Sequence, residues 1–132
     1  MAQAIVMLHD RDPKLELQQA VVDLVNLVHP LGSGVLVAIY RRPEKTKGGI
    51  IMTDKSRGED DFQGKVGLVM DVGPMAFQDD ETHRFMQPVP KIGDWIVFSV
   101  GETFSFELGS QRCRIVEDVA VRAIVDQPDI VY

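Results

Sequence analysis

The sequence is poor in the features that mark several large protein classes. It has one cysteine, so no disulfide can form within a chain, and Cys113 between Arg112 and Arg114 is typical of a buried structural thiol. No apolar run approaches the roughly 18 residues of a membrane-spanning helix, and the first residues lack a signal-peptide pattern. The net charge of -6, without a basic cluster, argues against nucleic-acid binding. We expect a soluble, cytoplasmic protein that binds neither membrane nor nucleic acid.

Catalytic and metal-binding motifs are also missing. The acidic runs 59–61 and 79–81 lack the alternating carboxylates and glycine of a calcium loop, so they predict solvated loops. No zinc-ligand spacing connects the three histidines, which are His9, His29 and His83. We expect no catalytic residue, no metal and no cofactor.

The composition is that of one globular domain: 132 residues, of which 45% are hydrophobic and 26% charged. The clearest helical signal covers residues 13–28, because Asp12-Pro13 supplies an N-cap acceptor and a proline at the first helical position. Apolar residues follow at spacings of three and four, which places them on one face, and His29-Pro30 ends the pattern. They are Leu17, Ala20, Val21, Leu24, Val25 and Val28.

After Pro30 the pattern changes to short β-branched and aromatic runs separated by glycines. Residues 103–108 alternate cleanly between apolar and polar side chains, as a half-buried strand does. Six strands are predicted, over residues 35–40, 66–72, 95–100, 103–108, 112–116 and 119–125. Because no helix separates them, they predict a mainly β fold, either a small barrel or a sandwich.

Two segments do not fit as strands. Residues 44–66 read EKTKGGIIMTDKSRGEDDFQGKV and place the apolar triplet Ile50-Ile51-Met52 between charged flanks. Two interpretations are open from the residues alone: a short strand buried in the core, or a docking segment that offers an apolar plug to a partner's groove. The other segment, 73–90, is long for a loop in a compact domain, which favours a functional role or a projecting hairpin.

The order of these segments resembles the GroES-type co-chaperonin family, the ten-kilodalton lid of the chaperonin ring. Residues 44–52, EKTKGGIIM, are similar to the family's mobile loop, in which a charged stretch precedes Gly-Gly and an apolar triplet. Residues 91–98, KIGDWIVF, are similar to the family's Val-Gly-Asp-x-Val-x-Phe signature. Further likenesses follow the family's order at residues 30–42, 63–66, 72–74 and 117–125.

The resemblance implies a small GroES-like β-barrel with a mobile loop and a roof hairpin, preceded by one amphipathic α-helix. It implies a homo-oligomeric ring, seven-fold in the family, in which the first and last strands of neighbouring subunits pair. By position, Ile50, Ile51 and Met52 would enter a hydrophobic groove of a GroEL-type chaperonin, and Gly48 and Gly49 would supply the turn. ATP is bound by the chaperonin, so such a lid needs no cofactor and is not an enzyme.

The implied organisation is an N-terminal extension at 1–29, a barrel at 30–126 and a tail at 127–132. The mobile loop would span about 43–63 and the roof segment about 73–90. The chain departs from the family at Gly32-Ser33-Gly34, where the family has His-Asp-Arg.

The extension is a second departure. Its helix would bury its stripe within its own ring, or would serve as a partner-binding arm. With this extension and its divergent sequence, the chain resembles the lids that some bacteriophages carry. Such a lid would act in the host cytoplasm. The alternative function is therefore a structural or decoration protein of a phage capsid or tail, located in the virion, that reuses the fold.

Overall fold

The computed structural model describes residues 12–42, 65–82, 84–86, 88–101 and 103–131. The helix of this part is α1 (Pro13–Ala20), and the strands are β1 (Gly34–Ile39), β2 (Val66–Val72), β3 (Trp95–Phe98), β4 (Phe104–Leu108), β5 (Gln111–Glu117) and β6 (Val121–Val125). Short 3₁₀ helices are formed by Val25–Leu27, Asp118–Ala120 and Pro128–Val131. The predicted mainly β fold is confirmed, and each strand begins and ends within two residues of its predicted bounds.

The six strands form one antiparallel sheet in the order β4-β5-β1-β2-β3-β6. Strand β1 lies between β5 and β2, and Ala38 is opposite Cys113 on one side and Leu68 on the other. All six residues of β1 are buried. A strand that is paired on both edges and covered on both faces has a continuous apolar run rather than an alternating one, as GVLVAI does here.

Each face of the sheet carries its own apolar cluster, and β1 contributes alternate residues to both. The helix face is covered by α1 through Leu17, and its other buried residues are Leu36, Ala38, Tyr40, Val66, Leu68, Trp95 and Cys113. The roof face is covered by the turn that follows β2 and by the 3₁₀ helix that precedes β6. Its buried residues are Val35, Val37, Ile39, Val69, Ala76, Ile96, Phe98 and Val116.

The N-terminal helix begins where the sequence predicts. Asp12 is the N-cap, with Oδ1 accepting a hydrogen bond from the backbone N–H of Lys14 at 3.0 Å, and Pro13 is the first helical residue. No helix in the described ranges is long and apolar enough to cross a membrane.

The predicted end of the helix at residue 28 is wrong, because α1 ends at Ala20. Val21 has a φ of -122°, outside the helical range, and its side chain is 1% exposed. The β-branched pair at positions 21–22 has low helix propensity, and the bend lets Val25 and Val28 pack on the helix face. In the described residues the extension therefore packs on its own sheet.

The single cysteine is buried in the helix face, as predicted for a structural thiol. Burial raises the pKa of the Cys113 thiol to about 11, although the Arg112 guanidinium and a hydrogen bond with the Leu108 backbone act in the opposite direction. Burial, and then Arg112, lower the pKa of Arg114, whose Nη1 donates to Thr103 Oγ1 at 2.7 Å. The thiol is therefore protonated, and a poor nucleophile, at neutral pH.

This raised pKa predicts that the protein loses stability as the pH rises from 9 to 11. In that window the unfolded chain releases the thiol proton near its ordinary pKa of 9.0, while the folded chain retains it. We expect Cys113 to contribute a loss of about 2 to 3 kcal/mol in the free energy of unfolding.

Urea unfolding of the wild type and of Cys113→Ala across this pH range measures the effect. The difference in the free energy of unfolding between the two proteins should be constant below pH 8. Above pH 9 the wild type should lose stability relative to the variant. Parallel profiles up to pH 11 would show that the thiol titrates in the same way in both states.

Candidate functional site: the loop root and the junction

The connection between β1 and β2 leaves and rejoins the sheet at one place. The backbone N–H of Tyr40 donates to the carbonyl oxygen of Val66 at 3.0 Å. The Tyr40 ring meets Trp95 edge to face, with the ring centroids 5.6 Å apart. Tyr40, Val66 and Trp95 are all buried on the helix face, and we call them the loop root.

Two further hydrogen bonds fix the chain on either side of the loop root. The backbone N–H of Phe98 donates to the carbonyl oxygen of Lys65 at 2.9 Å. On the other side Gln111 Nε2 donates to the carbonyl oxygen of Ile39 at 3.1 Å. The two ends of the connection are therefore held by β3 and β5 as well as by each other.

The residues predicted to dock on a partner belong to this connection. Gly48, Gly49, Ile50, Ile51 and Met52 lie outside the described residues, as does the whole stretch 43–64. What the structure adds is the support. The buried, hydrogen-bonded residues Tyr40 and Val66 flank this stretch, separated from its ends by two residues and by one residue respectively. Their contacts could not be predicted from the sequence, because the hydrogen bonds join residues distant in the chain.

A second site, which we call the junction, lies where Gly32-Ser33-Gly34 meets the turn after β2. The backbone N–H groups of Gly73 and Met75 donate to the carbonyl oxygens of Gly34 (2.7 Å) and Gly32 (2.8 Å). Gly32 has a φ of +55°, and a Cβ on Gly73 would lie 2.4 Å from the Gly32 oxygen. Glycine at position 73 thus lets the turn after β2 lie directly against the chain before β1, and Gly32 provides the positive φ that this chain adopts.

Asp118, which directly follows β5, is the third part of the junction. Its backbone N–H donates to the carbonyl oxygen of Ser33 at 3.1 Å, and its buried carboxylate accepts from the backbone N–H of Phe77 at 3.0 Å. Phe77 has a φ of +59°, which is unfavourable for a residue with a side chain. The carboxylate therefore holds a strained turn in place, and Ser33 Oγ donates to the neighbouring Glu117 carboxylate.

The roof segment, residues 73–90, folds back on itself without forming strands in its described part. The Phe77 and Phe85 rings meet edge to face at 5.6 Å, and Asp79 Oδ1 accepts from the Phe85 backbone N–H at 2.7 Å. Asp80 Oδ1 accepts from the Thr82 backbone N–H at 2.7 Å. The acidic run thus accepts backbone hydrogen bonds in the loop, and the described residues contain no group of ligands that could hold a metal ion. In its described part the roof segment is a loop closed by side chains.

A groove of about 430 Å³ lies between the roof segment and β6. Its apolar lining includes Phe77, Phe85, Val89, Val119, Val121 and Ile124. Arg84 and Arg122 also line it, and Arg122 Nε donates to Ser99 Oγ at 3.1 Å. Strand β6 pairs with β3 on one side and with no described strand on the other, so its free edge presents backbone hydrogen-bonding groups beside an apolar surface.

Replacing Asp118 tests the junction. Asp118→Ala removes the acceptor for the Phe77 N–H, so we expect it to lower the free energy of unfolding by about 1.5 to 3 kcal/mol. Asp118→Asn retains an acceptor oxygen of the same reach, so it should cost clearly less. Denaturant unfolding measures both, and equal effects of the two substitutions would contradict a role for the hydrogen bond.

These features match one known family. The family model described as the chaperonin 10 kDa subunit matches residues 27–125, which include all six strands, the loop root, the junction and the predicted docking segment. Helix α1 lies outside the match. This family consists of co-chaperonins rather than enzymes, and its members form oligomers that act with GroEL-type chaperonins. Because the match spans most of the chain, the protein belongs to the chaperonin 10 kDa family.

Proposed function

We propose that this chain is the lid subunit of a homo-oligomeric ring that caps an ATP-driven GroEL-type chaperonin and assists protein folding. The observation that carries the proposal is the loop root. A segment whose two ends leave the sheet together, from buried and hydrogen-bonded residues, can be presented to a partner while the sheet stays folded. The family match supports a co-chaperonin role in general.

The docking residues in this proposal are Ile50, Ile51 and Met52, with Gly48 and Gly49 supplying the turn. Burial of each apolar side chain in a groove would contribute roughly 1.5–3 kcal/mol. Ordering the backbone costs about 1–2 kcal/mol per residue, so one loop binds weakly. Several loops on one ring bind tightly through effective concentration, and each remains weak enough to be released. The nucleotide state of the chaperonin then determines capture and release.

The free edge of β6 supports assembly of the ring. Its residues 122–124 are exposed, and the apolar groove beside it is suited to contact with a second copy. We propose that neighbouring subunits pair there, in a ring of seven, and that the roof segments close the dome. The ring acts in the cytoplasm.

A phage structural protein on the same fold is the second possibility that the sequence raises. Such a protein would still form the ring but would not bind a chaperonin. The observation that favours the lid is the support of the predicted docking segment at both ends, because a decoration subunit needs no such presented plug.

Ile51→Asp tests the docking residues. A carboxylate in an apolar groove loses the burial of the isoleucine, which corresponds to roughly 10- to 100-fold in affinity for each loop, and the loss multiplies over the ring. We therefore expect chaperonin binding in the presence of ATP to fall below the detection limit of a binding assay with surface-immobilised chaperonin.

The matched control is Ile92→Asp, which places the same charge at an isoleucine that is 59% exposed in a turn. It should bind like the wild type, and both variants should keep the wild-type mass by light scattering. Wild-type affinity in Ile51→Asp would overturn the assignment of the triplet. A ring that assembles but never binds a chaperonin would favour the virion role.

A further inference from the structure

The N-terminal extension packs onto the residues that hold the docking segment. Leu17 of α1 is 9% exposed and belongs to the same buried cluster as the loop root, Tyr40, Val66 and Trp95. Helix α1 contacts β2, the strand that begins at the second end of the segment. The extension therefore packs into the same buried cluster as the residues that flank the proposed docking loop.

The extension also contacts the sheet beyond the end of α1. At its far side Leu24 Cδ1 lies 3.1 Å from the position that a Cβ on Gly109 would occupy, in the turn between β4 and β5. The extension thus crosses the helix face from β2 to the β4–β5 turn, and the loop root lies beneath it.

We propose that the extension is a positioning element for the docking segment, and that Leu17 is its positioning residue. This inference rests on the proposed function. By filling the space against the loop root, Leu17 restricts the movement of Tyr40 and Trp95 and so fixes the direction in which the segment leaves the sheet. Fixing that direction before binding reduces the ordering needed on docking. A small gain for each loop is multiplied over all loops of the ring.

The test compares Leu17→Ala with Leu15→Ala. Both remove the same atoms from the same helix, but Leu15 is 55% exposed and does not belong to the buried cluster. The emission of Trp95, the only tryptophan of the chain, reports the loop root directly. Affinity for a GroEL-type chaperonin with ATP is measured at a temperature at which circular dichroism shows every variant to be fully folded.

We expect Leu17→Ala to shift the Trp95 emission and to weaken chaperonin binding by about tenfold or more, with the ring mass unchanged. Leu15→Ala should weaken binding less than about twofold. Leu17→Met, which refills the space, should restore both emission and affinity. If Leu17→Ala does not fold, Val25→Ala removes fewer atoms from the same packing and should weaken binding by about two- to fivefold.

The outcomes separate this inference from the proposed function. If Ile51→Asp abolishes binding while the folded Leu17 and Val25 variants bind like the wild type, the positioning role is overturned and the lid remains. A lower melting temperature with unchanged affinity would likewise overturn it, because a merely structural contact behaves in that way. If Ile51→Asp has no effect, the proposed function itself fails.

Discussion

The burial of β1 on both faces and its pairing on both edges is the constraint that the rest of the structure depends on. A strand in that position exposes none of its side chains, so two separate layers must cover it. The extension covers one face through Leu17, and the turn after β2 covers the other through Ala76. Each layer is also connected with a site. The extension shares a buried cluster with the loop root, and the turn after β2 forms part of the junction.

The two sites differ in the interactions that hold them. The loop root is held by apolar packing and by backbone hydrogen bonds of the sheet, so the core extends to Tyr40 on one side of the connection and to Val66 on the other. The junction is held by close backbone contact and by the buried carboxylate of Asp118. This carboxylate accepts a hydrogen bond from the backbone N–H of Phe77, a residue with a positive φ. Only glycine permits that contact at position 73. On the other side of this contact, Gly32 has a positive φ and the Ser33 carbonyl oxygen accepts from the Asp118 backbone N–H.

Much of the fold could be predicted from the sequence, because strand patterns and helix caps are local signals. Strand β2 has the predicted bounds, and Asp12-Pro13 marks the start of α1. The end of α1 depends on how Val21 packs. The apolar periodicity therefore wrongly predicted a helix up to residue 28. Asp118 could not be assigned because its partner, Phe77, is 41 residues away and no local pattern joins them. The apolar triplet at 50–52 is predicted as a docking segment from its local contrast with charged flanks, whereas the contacts of the loop root depend on strand register.

The central claim is that a root of buried residues presents an apolar segment to a chaperonin. Co-sedimentation of the purified full chain with a GroEL-type chaperonin, with and without ATP, measures this most directly. We predict that the protein migrates with the chaperonin only when nucleotide is present. Rings that remain behind in both conditions would contradict the claim.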